Sequence, residues 1–225
     1  MIYYLENLLL YSAQFAAIVL AAALLARLLH KADPRVRLFH WQMTLLLALT
    51  APFFGRWETP VEDAVSITLG TARAWNTPTA PVARPVPWAE ILAGVLVLGA
   101  LLFLARLALG MVRIALYRRR ARPMAEHWPE AEFLFSAELT TPVTFGWLRP
   151  VVILPESFVA MSDEERNSVI AHELAHVRRR DWLFAVSEEV LRAVLWFHPA
   201  VWFVLHRIEV EREQVVDIEA IRETG

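Results

Sequence analysis

Long stretches without charge alternate with short charged segments in the first half of the chain. Residues 7–26 carry no charge and lie between Glu6 and Arg27, residues 38–55 carry none, and residues 91–111 carry one, Arg106. A run of about 20 apolar residues makes a helix long enough to cross a bilayer core of about 30 Å. Three transmembrane helices are therefore expected, at about 7–29, 38–55 and 89–113. The segment MIYYLEN has no positive charge ahead of the first run, and no small-residue cleavage site follows it, so that run is expected to stay in the chain. His30 to Arg37 makes a short basic connector, so the first two helices form a hairpin. Residues 56–87, which include Pro60, Pro78, Pro81, Pro85 and Pro87, read as an outer loop that acts as a spacer, with a short amphipathic piece near Val61 to Leu69. His40, early in the second run, is expected as an interfacial ring without a chemical role.

Past Pro123 the pattern becomes that of a water-facing domain. Phe133 to Phe135 and Val151 to Leu154 are short apolar runs bounded by Pro and Gly, and they predict two strands around a turn at Phe145, Gly146 and Trp147. Pro150 places the second run at a sheet edge or a strand start, and an edge ahead of the next helix could take an extended peptide by strand addition. Helices follow from Ser162 to Asp181, from Trp182 to Val194, and from Pro199, after a break at His198, to about Ile221. The second of these contains Glu188, Glu189 and Arg192, which argues against a fourth crossing. Its aromatic residues, with Trp196, Phe197, Trp202 and Phe203, point instead to a helix pair on or partly in the membrane surface.

Composition agrees with a membrane protein: 57% hydrophobic residues, 7 Gly and a mean hydropathy of +0.41. The net charge of −2 offers no basic surface for nucleic acid, so direct nucleic-acid binding is not expected. With no cysteine, disulfides, thiolate metal sites and thiol nucleophiles are excluded. Positive charge gathers at Lys31, Arg35 and Arg37 and again at Arg118, Arg119, Arg120 and Arg122. With three crossings these lie on one side, which the positive-inside rule makes cytoplasmic.

The chemistry concentrates in SDEERNSVIAHELAHVRRRD, which holds His172, Glu173 and His176. On a helix His172 and His176 share a face and could bind one zinc, while Glu173 could reach a water beside it. Ser162 and Glu165 fit a capping box, acids fill the first turn, and Arg178, Arg179 and Arg180 fill the last. A catalytic zinc usually has three protein ligands. The last helix offers Glu209, Glu211, Glu213, Asp217 and Glu219. Glu213 and Asp217 lie one turn apart, so the first could bind metal and the second steady a histidine; Glu209, on the same face, is the reserve. Asp181 is a candidate either to anchor a helix end or to orient a ligand. His198, His206 and the arginines after His176 are possible oxyanion partners, but are expected as packing or surface residues.

HELAHVRRRDW, TPVTFGWLRPVVILP and WFHPAVWFVLHRIEVEREQVVD, with the helices ahead of them, resemble the BlaR/MecR family of membrane zinc metallopeptidases, of the β-lactam-sensing antirepressor type. The resemblance implies a mainly α chain: a membrane domain over 1–117, then a small α+β gluzincin-type zinc metalloprotease domain over 118–225 in the cytoplasm. It implies His172, His176 and Glu213 as zinc ligands and Glu173 as general base. It also implies cleavage of a cytoplasmic transcriptional repressor, or of the chain itself, in signal transduction. In such a reaction zinc supplies the Lewis acidity, while Glu173 takes a proton from water and passes it to the leaving amine. The expected partners are the lipid bilayer, a protein substrate and a second copy of the chain in a homodimer. The family pattern continues into a fourth transmembrane helix and a penicillin-binding-type sensor, whereas this sequence ends at Gly225. The domain is accordingly expected to be truncated there, or to belong to a branch with a different outer part, and a β-lactam ligand is unsupported. The alternative is a membrane receptor or scaffold that keeps the fold without hydrolysis; the intact Glu173 argues against it.

Overall fold

The computed structural model describes residues 2–54, 86–126 and 128–225. The outer loop expected at 56–87, including the amphipathic piece, lies almost wholly outside the described residues. The chain is mainly helical. Helices α1 (Ile2–Leu28), α2 (Pro34–Phe54) and α3 (Trp88–Arg120) come first. Strands β1 (Arg122–Pro123), β2 (Glu132–Ser136), β3 (Val143–Phe145) and β4 (Val151–Pro155) follow, then a 3-10 turn over Glu156–Ala160. Helices α4 (Asp163–Arg179), α5 (Asp181–Val194) and α6 (Pro199–Thr224) complete the fold.

Among the described residues two helical segments are long and apolar enough to cross a membrane, Glu6–Leu28 and Trp88–Arg120. None of the residues of α3 is buried, and Val97, Leu98, Leu101 and Leu102 are all more than half exposed. A surface this apolar on a folded chain needs a non-aqueous neighbour. Helix α2 returns against α1 as the hairpin expected from the basic connector, with His40 Nε2 3.1 Å from the Ala22 carbonyl oxygen.

The division at residue 117 does not separate two cores. Phe15 and Val19 of α1, Leu38, Trp41 and Leu45 of α2, and Val201, Val204, Leu205 and Ile208 of α6 form one buried cluster. The last helix thus belongs by packing to the first two. Its charged residues are fastened to the same hairpin: Arg37 Nε lies 2.8 Å from Glu211 Oε2, and Arg35 Nη2 2.9 Å from Glu219 Oε1.

The sheet corrects one expectation. β2 and β4 are not the two arms of a hairpin; they run parallel, in the order β1-β2-β4-β3. The turn at Gly146 is present, but it joins β3 to β4, which pair antiparallel. Gly146 has φ of +88°, and a Cβ there would stand 2.8 Å from the Arg149 carbonyl oxygen, a geometry that only glycine meets without strain. β4 is therefore central and not an edge, and all five of its residues are buried, as a continuous apolar run on a two-faced strand should be. The edges belong to β1 and β3, and β3 is the edge beside α4. One face of the sheet packs Phe133, Val152 and Leu154 against Ile170 and Leu174 of α4.

Candidate metal centre

Helix α4 starts where its sequence dictates. The Ser162 N–H donates to Glu165 Oε2 at 2.8 Å, and the Glu165 N–H donates to Ser162 Oγ at 3.3 Å, a complete capping box. Caps of this kind contribute about 1 kcal/mol. Ile170 and Leu174 bind the helix to the sheet, which leaves His172 and His176 on the face turned to α6.

There His172 Nε2 lies 3.8 Å and His176 Nε2 3.7 Å from Glu213 Oε2. One donor atom from each of the three residues falls within 4.8 Å of the others, the one such group among the described residues. Ligands about 2.1 Å from a tetrahedral ion stand about 3.4 Å apart. Small side-chain movements would close the observed separations onto one zinc, so the donor set fits the ion.

Each histidine has its own carboxylate behind it. His172 Nδ1 is 3.1 Å from Asp217 Oδ1, and His176 Nδ1 is 3.0 Å from Asp181 Oδ2. With Nδ1 of His176 hydrogen-bonded to Asp181 and Nδ1 of His172 facing Asp217, each Nε2 is left as the nitrogen turned to a metal. Asp181 reaches this position because Arg180 adopts a left-handed conformation, φ 57°, the only one among the described non-glycine residues. That single residue ends α4 and starts α5. Asp181 is 5% exposed, and Arg179 Nε donates to it at 3.2 Å. Burial pushes the His176 imidazole down, but its hydrogen bond to Asp181 and the negative charges of Asp181 and the nearby Glu213 outweigh this and raise it to about 9. In turn His176, 3.7 Å away, holds the Glu213 carboxyl below its ordinary value.

Glu173, on the next face of α4, is 8% exposed. Its Oε2 accepts a hydrogen bond from Thr144 Oγ1 of β3 at 2.5 Å. A cavity of about 360 Å³ opens onto these groups, lined by Thr144, His172, Glu173, His176 and Glu213, with Glu209 at its wall. Glu209, the reserve ligand, lies outside the three-donor group and is 3.9 Å from His206. His198 is buried away from the cavity, its Nε2 3.2 Å from the Ser12 carbonyl oxygen. Thr144 and Arg212, both at the cavity, escape a reading of the helix motif alone. Only TPVTFGW, in the chain ahead of the motif, marks the threonine.

The sequence profile of the family described as BlaR1 peptidase M56 matches residues 6–224. The regulatory protein BlaR1 of Bacillus licheniformis is 34% identical over 84 residues, 37% of this chain and 14% of that protein. The methicillin resistance mecR1 protein of Staphylococcus aureus is 29% identical over 89 residues, 39% of this chain and 15% of that protein. The aligned part of the chain thus spans about one seventh of the length of these relatives.

Proposed function

Because the chain belongs to the BlaR1 peptidase M56 family, a family of metallopeptidases, we propose that it is a membrane-anchored zinc endopeptidase of a signalling system. His172, His176 and Glu213 hold the metal, and the convergence of their three donor atoms is the observation that carries the reading. Zinc bound there supplies Lewis acidity that makes water a nucleophile near neutral pH and polarises a peptide carbonyl.

The remaining steps belong to the chain. Asp217 and Asp181 keep the Nδ1 protons of the two histidines, which fixes the rings in their ligating orientation. Glu173 takes the proton of the attacking water and returns it to the leaving amine. Thr144 occupies one oxygen of that carboxylate, leaving the other for the water. β3 is paired on one side only, and an extended substrate added to its free edge would run past Glu173.

Helices α1, α2 and α3 are read as three crossings. Arg27, Lys31, Arg35 and Arg37 follow the first, and Arg113 and Arg118 to Arg120 end the third, so this end and the zinc site face the cytoplasm. The substrate is a cytoplasmic repressor or the chain itself, a reading supported by the regulatory and resistance names of the relatives.

The test is zinc content and peptide cleavage of the chain in lipid nanodiscs. One zinc per chain is expected, strongly reduced in His172→Ala and Glu213→Gln. Glu173→Gln should keep its zinc and lose cleavage; undiminished cleavage in that variant would overturn the assignment.

A further inference from the structure

Helices α5 and α6 meet at an elbow, Leu195 to His198, and two contacts fix where that elbow sits along the apolar helices. His198 Nε2 lies 3.2 Å from the carbonyl oxygen of Ser12 in α1, and the His198 ring is 4.8 Å from that of the fully buried Phe15. Trp196 Nε1 donates to the Leu96 carbonyl oxygen of α3 at 3.1 Å, and its indole lies against Gly99, where a Cβ would meet the ring at 2.2 Å. At 1.5 Å per residue, Ser12 is about 22 Å from Arg27, and Leu96 is about 25 Å from Arg113. Two helices give nearly the same depth.

From the elbow, α6 runs back alongside α2 for about 18 Å before Glu211 meets Arg37 at the start of that helix. Its inner side is core: Val201, Val204, Leu205 and Ile208 are at most 1% exposed. The outward side of the pair is apolar too, with Phe184, Val190, Val194 and Phe203 each at least 40% exposed. The charges that argue against a crossing are neutralised in place. Arg192 Nη1 is 2.7 Å from Glu189 Oε1 and its guanidinium stands 5.2 Å from the Trp202 ring centroid, while Glu188 pairs with Arg212. Glu188 and Arg192 are largely buried and Glu189 is paired, and paired charges are what a bilayer tolerates.

We infer that α5 and the first half of α6 form a re-entrant hairpin that enters the bilayer from the side of the zinc site, turns about three quarters of the way across and returns. Lipid hydrocarbon is the occupant of its outer face, because that face continues the lipid-facing surface of α3, to which the elbow is hydrogen-bonded. The inference rests on the reading that α1 and α3 cross the membrane. It deepens that reading, since it holds the metal centre at the membrane boundary and limits substrates to peptide segments that approach the bilayer surface.

The chain lacks cysteine, so single cysteines can be introduced without other changes. Spin labels at Phe184, Val190 and Val194 would be compared in phosphatidylethanolamine and phosphatidylglycerol vesicles with labels at Val97 (lipid-facing in α3) and at the exposed Arg222. Collision rates with oxygen, which partitions into lipid, and with a neutral nickel chelate, which stays in water, report depth. The oxygen-to-nickel ratio is expected to rise from 184 through 190 to 194, over about 15 Å of helix, and to match Val97 at 194. Water-like nickel access at 194 beside a lipid-like Val97 overturns the hairpin alone. Low access to both reagents at 190 and 194 overturns lipid as the occupant and points to a second copy of the chain. A water-like Val97 overturns the crossing itself, and the hairpin with it. The labelled positions are exposed, and the use of three makes the gradient independent of any single variant that fails to fold.

Discussion

Asp181 Oδ2 stands 3.0 Å from His176 Nδ1, at the first position of α5, with Arg180 alone between it and the end of α4. The pair fixes both the tautomer and the direction of the ring. Asp181→Asn keeps the shape and removes the charge; it is expected to weaken zinc binding by about 10–100-fold, read by competition with a chromophoric chelator, with helix content unchanged. An unaltered affinity would reduce Asp181 to a helix anchor.

The raised imidazole sets a pH dependence. In the metal-free protein His176 titrates near 9 against an ordinary value of 6.5. A raised folded value stabilises the fold fully below the unfolded value, and that contribution is lost as pH rises through about 9. Zinc takes the deprotonated ring, so binding releases a proton below that range. Zinc affinity should therefore climb with pH and level off above about 9, whereas metal-free stability in denaturant should move the opposite way over the same interval.

Thr144 is expected to act on turnover and not on metal loading. Hydrogen bonds to charged groups contribute about 1.5–3 kcal/mol, so Thr144→Val should lower kcat by roughly 10–100-fold if most of this is felt in the transition state. Zinc content should not change, and Thr144→Ser should recover most of the rate. Equal kcat in the valine and parent proteins would remove Thr144 from the mechanism.

Glu211 is 1% exposed and sits between Arg37, at 2.8 Å, and Arg207, at 2.7 Å. Breaking a buried pair by removing one partner costs about 3–5 kcal/mol. Glu211→Ala should thus be among the more destabilising changes in α6, seen in a denaturant series in mixed micelles, whereas Glu209→Ala at the exposed cavity wall should stay near the parent.

Much of this architecture is legible in the sequence because it rests on local rules. Residues 7–26 and 91–111 announce long helices through the absence of charge, and Ser162 with Glu165 marks the start of α4 by the capping chemistry found there. The sheet was harder to read. Pairing β2 with β4 in parallel depends on contacts across the fold, and β3 is three residues beside a proline, too short for an alternation to show. The donor residues could be proposed from spacing and resemblance. The carboxylate behind His176 depends on one left-handed residue, Arg180, and the hydroxyl on Glu173 comes from a strand 29 positions away; neither has a periodic signature. Glu188, Glu189 and Arg192 argue against a crossing when read singly, and only the fold shows that Glu188 finds its partner 24 positions later, on α6.

The sharing of one core by α1, α2 and α6 also bears on the order of biogenesis. Two of the three donors, His172 and His176, leave the ribosome before α6 is made, and Glu213 follows on a helix whose first half is packed against the earliest segments of the chain. Glu213 therefore reaches the two histidines on a helix rooted in the N-terminal hairpin, so removing α1 and α2 is expected to loosen the three-donor group although every donor lies outside them.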